Sequence, residues 1–149
     1  MRIIGIDPGL NGGIAYLEDE ELVEYTKLPT IGEKKGRQLN KKALIRWVQD
    51  RKEVDRCVIE DVHSMPKQGV SSVFKFGMIK GQLDMLPTVL GIPLYYVTPQ
   101  RWKKIMLEGT AKDKNAAILY VTNRFGISLN KSEDGIADAI LIALAGEKI

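Results

Sequence analysis

Three carboxylates end or interrupt apolar stretches of the chain, and a fourth lies one helical turn before the last of them. Asp7 and Glu60 each end a short apolar run that predicts a buried strand. Asp134 and Asp138 are four residues apart in a segment with helical spacing, so they share one helix face, and the residues around Asp138 are apolar almost all round. An isolated ionised carboxylate is costly to bury, so each acid must be paired, hydrated or bound to a cation.

Carboxylate oxygens are the ligands that a hard divalent cation prefers. The chain has one Cys and one His, which nearly excludes a structural zinc site and indicates Mg²⁺ or Mn²⁺. Acids at the ends of neighbouring strands repel each other unless a cation lies between them. Two such ions about 4 Å apart bind a scissile phosphate, activate water and stabilise the leaving oxygen. The acids therefore predict metal-dependent phosphoryl transfer.

Each acid also has a structural interpretation. Asp7 precedes Pro-Gly and can cap its own turn. Glu133 and Asp134 suit the first turn of a helix, where a carboxylate complements the helix dipole. The sequence leaves open which of these two is the fourth acid of the cluster. The dipole gives little reason for an acid at Asp138, which lies inside the helix.

Basic side chains are concentrated in the middle of the chain. The net charge is only +3, but residues 27–131 carry 20 Lys and Arg against 9 Asp and Glu, and both ends are acidic. This distribution indicates a polyanionic partner, although ordinary solvated helix faces would give the same count. With the carboxylates, it favours a metal-dependent nuclease. The candidate contacts with the DNA backbone are Lys34, Lys35, Arg37, Lys67, Lys75 and Lys80.

Length and composition predict a single domain over residues 1–149. A chain of 149 residues can bury a sizeable core without a disulfide or a structural metal, and its one Cys excludes an intramolecular disulfide. The longest apolar runs are far shorter than a bilayer requires, and no signal peptide opens the chain. We therefore expect a soluble, cytoplasmic protein with no membrane partner.

The order of elements predicts an α/β fold with a mixed five-stranded sheet and helices on both faces. The predicted strands are 2–7, 14–17, 22–28, 56–60 and 93–97. The predicted helices are 41–52, capped by Asn40, then 70–86, stopped by Pro87, and 99–106, 112–125 and 133–145. Residues 29–38 are expected to form a mobile basic loop. Three antiparallel strands followed by two helix–strand units is also the order of the ribonuclease H-like fold.

Three acidic motifs resemble those of the RuvC-type Holliday-junction resolvases. They are Gly5-Ile6-Asp7-Pro8-Gly9, Val58-Ile59-Glu60-Asp61-Val62 and Asp134-Gly135-Ile136-Ala137-Asp138-Ala139. Between the second and third, residues 74–81 resemble the dimer-forming helix of that family, and residues 98–104 and 112–114 resemble its two lysine-bearing segments. The likeness runs in order over almost the whole chain.

This resemblance implies a ribonuclease H-like fold, a homodimer, and paired nicks across a four-way DNA junction that leave 5′-phosphates. It further implies two Mg²⁺ ions per active site, with Mn²⁺ as a substitute. By motif match, the metal ligands would be Asp7, Glu60, Asp134 and Asp138. Lys103 and Lys114 would hold and polarise the scissile phosphate. The compact form looks most like phage-borne members, which would place it in the host cytoplasm.

Two positions depart from the family pattern. The fourth acid of the family, or a His, usually lies three residues before the last Asp, where this chain has Gly135, and Asp134 lies four before it. An aromatic wedge often lies three residues after the second acid, where this chain has His63. An imidazole can stack on a base, although a solvated loop His is the alternative.

The sequence also has three alternative interpretations, which concern the dimer contact, catalysis and the family. Apolar residues around Lys75 and Lys80 exceed what one core-facing stripe needs, which predicts a dimer contact or else a purely intramolecular core. A branched-DNA-binding protein without turnover would use the same basic residues, but it would gain nothing from acids facing DNA. An actin-like ATPase also begins with a strand followed by Asp and Gly, but it needs a duplicated domain that 149 residues cannot supply.

Overall fold

The computed structural model of the chain describes residues 1–110, 113 and 115–149. Its strands are β1 (Arg2–Asp7), β2 (Gly13–Glu18), β3 (Glu21–Lys27), β4 (Thr30–Ile31), β5 (Gln38–Leu39), β6 (Arg56–Glu60) and β7 (Leu94–Val97). Its helices are α1 (Lys41–Gln49), α2 (Val70–Val89), α3 (Pro99–Leu107), α4 (Ala116–Phe125) and α5 (Asp134–Gly146). Single 3₁₀ turns lie at Lys34–Gly36 and Lys131–Glu133.

Five strands form one mixed sheet in the order β3-β2-β1-β6-β7. The β1–β2 and β2–β3 pairs are antiparallel, whereas β6 is parallel to both β1 and β7. Parallel neighbours need crossover connections, and α1 and α2 supply them. The predicted mixed five-stranded sheet is confirmed.

Strand alternation divides the core into two layers. On one face, Ile3 and Val58 pack with α3, α4 and α5, and on the other, Ile4, Ile6 and Ile59 pack with α1 and α2. Helix α5 lies at the centre of the first layer and is buried from Gly135 to Gly146, apart from one acid in its second turn. Helices therefore cover both faces of the sheet, as expected.

Small residues let α5 approach the sheet closely. A Cβ atom added at Gly5 would lie 2.2 Å from the carbonyl oxygen of Ala139, and one at Gly13 would lie 2.6 Å from that of Gly135. Contacts this short leave no space for any side chain at either glycine, so the helix backbone rests directly on β1 and β2. The start of α5 is thereby held against the carboxyl end of β1.

The segment 29–38 is the main difference from the sequence-based expectation. It was expected to be a mobile loop, but β4 and β5 pair as a short hairpin closed by the 3₁₀ turn. Arg37 holds this hairpin through hydrogen bonds to the 8–12 loop, a long-range interaction that local composition does not reveal. The prediction of a loop without regular structure was therefore wrong.

Two helix ends also differ from prediction. Helix α1 ends at Gln49 rather than at residue 52, and the N–H of Arg51 closes its end by bonding Val48 O at 3.0 Å, a tighter turn than the α-helical one. Helix α2 continues through Pro87 to Val89, although the proline ring removes one backbone donor. Burial of Leu86 and Pro87 against the core offsets that loss.

Among the described residues, no helix combines the length and apolarity required to cross a membrane.

Candidate active site

Asp7 and Glu60 lie side by side at the carboxyl edge of the sheet. In the parallel β1–β6 pair, Ile6 is opposite Ile59, so the next residue on each strand is an acid. Side chains alternate along a strand, and residues 5 and 58 face α5, so both acids project toward the same helix layer. The predicted convergence of the two strand ends is therefore present.

Helix α5 brings the other two acids to the same edge. Asp7 pairs with Gly13 in the β1–β2 ladder, and Gly13 lies against the backbone of Gly135 at the start of α5. Asp134 is exposed at that helix start, and Asp138 follows one turn later as the partly exposed residue in a buried stretch. One face of α5 thus presents both acids to the end of β1.

Gly135 explains the departure from the family pattern. A Cβ atom at this position would lie 2.5 Å from the carbonyl oxygen of Asn11 and 2.9 Å from the Cα of Gly12. Backbone atoms cannot rotate away as a side chain can, so no acid fits at residue 135. The preceding position, Asp134, is the one from which an acid can reach the cluster.

Glu133 has a separate structural use. Its side chain accepts a hydrogen bond from the backbone N–H of Asn130 at 3.1 Å, and Asn130 accepts one from Ser132 in return. This capping box ties Glu133 to the turn that precedes α5. Of the two candidates for the fourth acid, the geometry favours Asp134.

The four acids interact electrostatically. Burial, as the largest cause, and the negative charges of Asp138, Glu60 and Asp134, in that order, together raise the pKa of Asp7 to about 8. Burial first, and then the charges of Glu60 and Asp134, together raise the pKa of Asp138 to about 7. Mutual repulsion of this kind is what a bound cation relieves.

The donor set fits a hard divalent cation in type but is not closed around one. All four side chains offer carboxylate oxygens, as Mg²⁺ and Mn²⁺ prefer. Within the described part of the chain, however, no three His, Cys, Asp or Glu side chains are placed closely enough to hold one ion as they stand. Side-chain rotation would have to bring the carboxylates together, against their repulsion and with the help of the charge of the ion.

Lys103 supplies a positive charge beside these acids. It lies exposed on α3, and its charge lowers the pKa of both Asp7 and Asp138, opposing the effect of burial. Its ammonium also lies over the ring of Trp102, 5.5 Å from the centroid. The second predicted lysine, Lys114, lies outside the described residues.

Trp102 is a neighbour of the acids that the sequence did not single out. Its side chain is 1% exposed, and its indole N–H donates to Oε2 of Glu60 at 2.5 Å. Glu60 itself is 9% exposed. Because the two residues are 42 positions apart, no local spacing could have paired them.

In the structure, Arg37 forms hydrogen bonds with other parts of the same chain. Its guanidinium donates to Leu10 O at 2.7 Å, to Asn11 Oδ1 at 2.9 Å and to Thr30 Oγ1 at 3.2 Å. These bonds join the β4–β5 hairpin to the loop that follows Asp7. Arg37 therefore braces the site, and its predicted contact with DNA stays a prediction.

The other predicted DNA contacts differ in how they are paired within the chain. Lys75 donates to the backbone oxygen of Lys35 at 3.0 Å, and Lys80 pairs with Asp84 at 3.2 Å while lying over the ring of Tyr96. The remaining predicted contacts are exposed side chains, namely Lys34, Lys35, Lys67 and His63. His63 and Lys67 lie on the loop between Glu60 and α2, close in sequence to the acids.

Replacing Arg37 by Ala should lower both stability and activity. Removing three hydrogen bonds from a charged, half-buried donor should cost about 1–2 kcal/mol, which in a chain of this size is a fall in melting temperature of roughly 2–8 °C. The loop after Asp7 should also lose its fixed position. In gel-shift and nicking assays with branched DNA, we expect a larger loss of nicking than of affinity. The double variant Lys34→Ala/Lys35→Ala is the control and should show the reverse order.

Stability without metal should decrease as the pH rises. Asp7 and Asp138 have pKa values raised to about 8 and about 7, so the folded chain binds more protons than the unfolded chain between about pH 4 and pH 8. In EDTA, we expect the melting temperature to fall over that range, and less so for Asp7→Asn. Metal binding displaces those protons, so Mn²⁺ should stabilise the protein more at pH 8.5 than at pH 6. Equal stabilisation at both pH values would contradict this prediction.

Comparison with known proteins gives one family. The family model of the crossover junction endodeoxyribonuclease RuvC matches residues 3–146. A comparison with curated protein sequences found no match. The structure is similar to Thermus thermophilus RuvC in complex with Holliday junction substrate (TM-score 0.70, 20% identity) and to Thermus thermophilus RuvC in a second structure (TM-score 0.70, 22% identity). Both alignments cover 97% of this chain and 92% of the other.

A third similar structure is the yeast mitochondrial Holliday junction resolvase Ydc2, with a TM-score of 0.51 and 15% identity over 97% of this chain and 76% of that one. At these identities the structural likeness shows the fold, which is ribonuclease H-like as predicted. The family assignment rests on the family model, which spans nearly the entire sequence and includes all four acids. The chain belongs to the RuvC family of crossover junction endodeoxyribonucleases.

Proposed function

We propose that the protein is a homodimeric, Mg²⁺-dependent endonuclease that resolves four-way DNA junctions, and cuts other branched DNA, by paired nicks that leave 5′-phosphates. The observation that carries the proposal is the meeting of Asp7, Glu60, Asp134 and Asp138 at one edge of the sheet, with Lys103 beside them. Four acids that face each other and one lysine suit a site for metal ions and a phosphate, since neither a core nor a simple DNA-binding surface needs them.

Each acid has a distinct place in this proposal. Asp7, whose pKa is raised by the charges of all three other acids, would contribute to holding both metal ions. Glu60 and Asp138 would complete the ligand set, and the exposed Asp134 would add a ligand or position the attacking water. When bound, Mg²⁺ would supply charge neutralisation at the scissile phosphate and a more acidic water.

The lysine acts on the phosphate. Lys103 is exposed, next to the acids, and carries a charge that reaches both Asp7 and Asp138. Its ammonium would hold an oxygen of the scissile phosphate and stabilise the charge that develops there. Lys114 is assigned the same task from the sequence resemblance alone.

DNA would be held by basic side chains around this edge. The β4–β5 hairpin carries the exposed Lys34 and Lys35, and the loop after Glu60 carries His63 and Lys67. Contacts of Lys side chains with phosphates add affinity that falls with salt and carries no sequence preference. Recognition of the branched shape, rather than of a base sequence, fits such a surface.

The dimer would form through α2. Its exposed apolar residues are spaced four or seven positions apart and so form one stripe, which consists of Val70, Phe74, Met78, Met85 and Val89. Beside the stripe, α1 and α2 enclose an apolar groove of about 470 Å³. An exposed apolar face of this extent marks an interaction surface, and a second copy of the chain offers the same stripe in return.

Disrupting this stripe should produce monomers. We expect wild-type protein to sediment as a dimer and Phe74→Glu/Met78→Glu to sediment as a monomer that keeps its fold, because a charge in an apolar contact is strongly unfavourable. The matched control is Leu119→Glu, which places the same charge at an exposed apolar residue of α4. A dimeric double variant, or a monomeric wild type, would contradict the proposed interface.

The test of function is metal-dependent nicking on a panel of synthetic substrates. Four-way junction, fork, flap and duplex DNA of matched sequence are incubated with protein in Mg²⁺, in Mn²⁺ and in EDTA, and the products are mapped at nucleotide resolution. We expect symmetric nicks in the junction with both ions, 5′-phosphate ends, and intact duplex. Tight junction binding in EDTA with no nicking in either ion would instead favour the second candidate function, a branched-DNA-binding protein without turnover.

A further inference from the structure

Glu60 is held by one specific donor. Its Oε2 atom accepts a hydrogen bond of 2.5 Å from the indole N–H of Trp102, and both side chains are buried. Within the described residues, its Oε1 atom accepts no hydrogen bond. Hydrogen bonds to a charged acceptor are among the strongest in proteins, and an indole N–H can only donate. The two carboxylate oxygens of Glu60 are therefore not equivalent.

Local structure places the indole at this point. Glu60 is opposite Val97 in the parallel β6–β7 pair, and α3 begins two residues later at Pro99. The side chain of Thr98 caps the helix by accepting from the N–H of Arg101, which fixes its first turn. Trp102 and Met106 are the buried residues of α3, so the indole faces the core directly above the end of β6.

Helix α3 also determines where the side chain of Lys103 lies. It follows Trp102 by one residue, which turns it about 100° around the helix and out to the surface beside the acids. Fixing the indole on Glu60 therefore also fixes the rotation of α3, and with it the position of the lysine.

We propose that Trp102 is a positioning residue of the nuclease, which occupies one oxygen of Glu60 so that this acid offers a single oxygen to a divalent cation, and which sets the position of Lys103 relative to the acids. This inference rests on the proposed function, because it needs a cation at the site. It goes beyond the motif match, from which only the acids and the two lysines were given roles in the site.

Two replacements of Trp102 separate its hydrogen bond from its packing. Trp102→Phe keeps an aromatic ring but removes the donor. Incorporation of benzothienylalanine at position 102 keeps the shape of the indole and has sulfur in place of the N–H. Loss of an outer partner of a metal ligand typically weakens metal binding about 10–100-fold. We expect that weakening for Mn²⁺ with both variants, measured by calorimetry at constant pH, with an unchanged far-ultraviolet circular dichroism spectrum.

The matched control is Trp47→Phe. Trp47 is the only other tryptophan of the chain and lies on α1, where its ring stacks with Arg51. We expect this variant to bind Mn²⁺ within about twofold of wild type. It also leaves Trp102 as the sole indole, so its fluorescence should change in a saturable way as Mn²⁺ is added. The change should disappear when Asp7→Asn is introduced in the same background.

Nicking gives an independent measure. For the Trp102 variants, the Mn²⁺ concentration for half-maximal nicking of a four-way junction should rise about 10–100-fold. The inference would be overturned if the Mn²⁺ affinities of both Trp102 variants lay within twofold of wild type, or if the sole-tryptophan protein did not respond to saturating Mn²⁺. In either case, nicking by wild type would still support the proposed function. If wild type neither binds Mn²⁺ nor nicks any branched substrate, both proposals are overturned.

Discussion

Replacement of Asp7 by Asn should abolish nicking while leaving the fold intact. We expect the rate on a four-way junction in Mg²⁺ to fall on the order of 10³-fold or more, since the amide keeps the shape of the carboxylate but loses the charge that holds cations. Asp7 is the acid on which the charges of all three others act, so its loss should affect the whole cluster.

Neither junction affinity nor thermal stability should fall with the activity of Asp7→Asn. Without metal, Asp7→Asn removes a buried charge that its neighbours oppose, so at pH 8.5 in EDTA the variant should melt at a higher temperature than wild type. Junction affinity in EDTA should be unchanged or higher, because one negative charge near the DNA is gone.

The matched control for this prediction is Asp50→Asn. Asp50 is exposed at the end of α1, outside the acid cluster, and undergoes the same chemical change. Its nicking rate should match that of wild type. Undiminished nicking by Asp7→Asn would remove the metal-dependent mechanism and with it the proposed function.

Replacement of Gly135 by Ala should disrupt the site by moving its backbone. The added Cβ would lie 2.5 Å from the carbonyl oxygen of Asn11, and the 9–12 turn has little freedom to retreat. The N–H of Gly12 donates to Gly9 O at 3.1 Å, and Arg37 holds Leu10 and Asn11 inside the turn. We expect a loss of about 2–3 kcal/mol, typical of overpacking, and a melting temperature lower by roughly 4–12 °C.

Activity should fall with stability in this variant. Because Gly135 lies between Asp134 and the β1 end, its displacement should move both acids of α5 away from Asp7. We expect weaker Mn²⁺ binding in calorimetry even at a temperature where the variant is fully folded. Gly135→Asp, which would restore the acid at the position usual in the family, should lower stability and metal affinity further. Its side chain has the same Cβ and a carboxylate beyond it, for which there is no space.

Gly77→Ala is the control for the glycine argument. Gly77 lies in α2, where a Cβ meets no atom within 4 Å, so Ala should stabilise the helix by about 0.5–1 kcal/mol. A Gly135→Ala protein as stable as wild type, with unchanged metal affinity, would contradict the close packing of α5 on the 9–12 turn.

Much of the fold could be predicted from local patterns. The five sheet strands, the capping of α1 by Asn40 and the order of the elements follow from apolar runs, turn residues and caps, which depend on neighbouring residues. The hairpin at 30–39 could not, because two-residue strands carry almost no periodic signal and Arg37 holds them from outside the segment.

The candidate site could likewise be predicted only in part. Asp7, Glu60 and Asp138 were found because each is an acid in an apolar stretch, which is a feature of sequence. Their assignment as metal ligands stays a prediction. The choice between Glu133 and Asp134 needed the capping box of Glu133 and the charge of Asp134 on Asp7, both of which are visible only in three dimensions.

The sequence by itself determined which acids end the strands and which share a helix face, because both follow from the types and spacing of neighbouring residues. It also determined that the chain has the motifs of a junction-cutting family. Only the tertiary structure decided what surrounds each acid. Trp102 reaches Glu60 across 42 residues, and Gly135 is a glycine because another backbone lies against it. Such contacts depend on how sheet and helices pack, and packing joins residues that no spacing in the sequence connects.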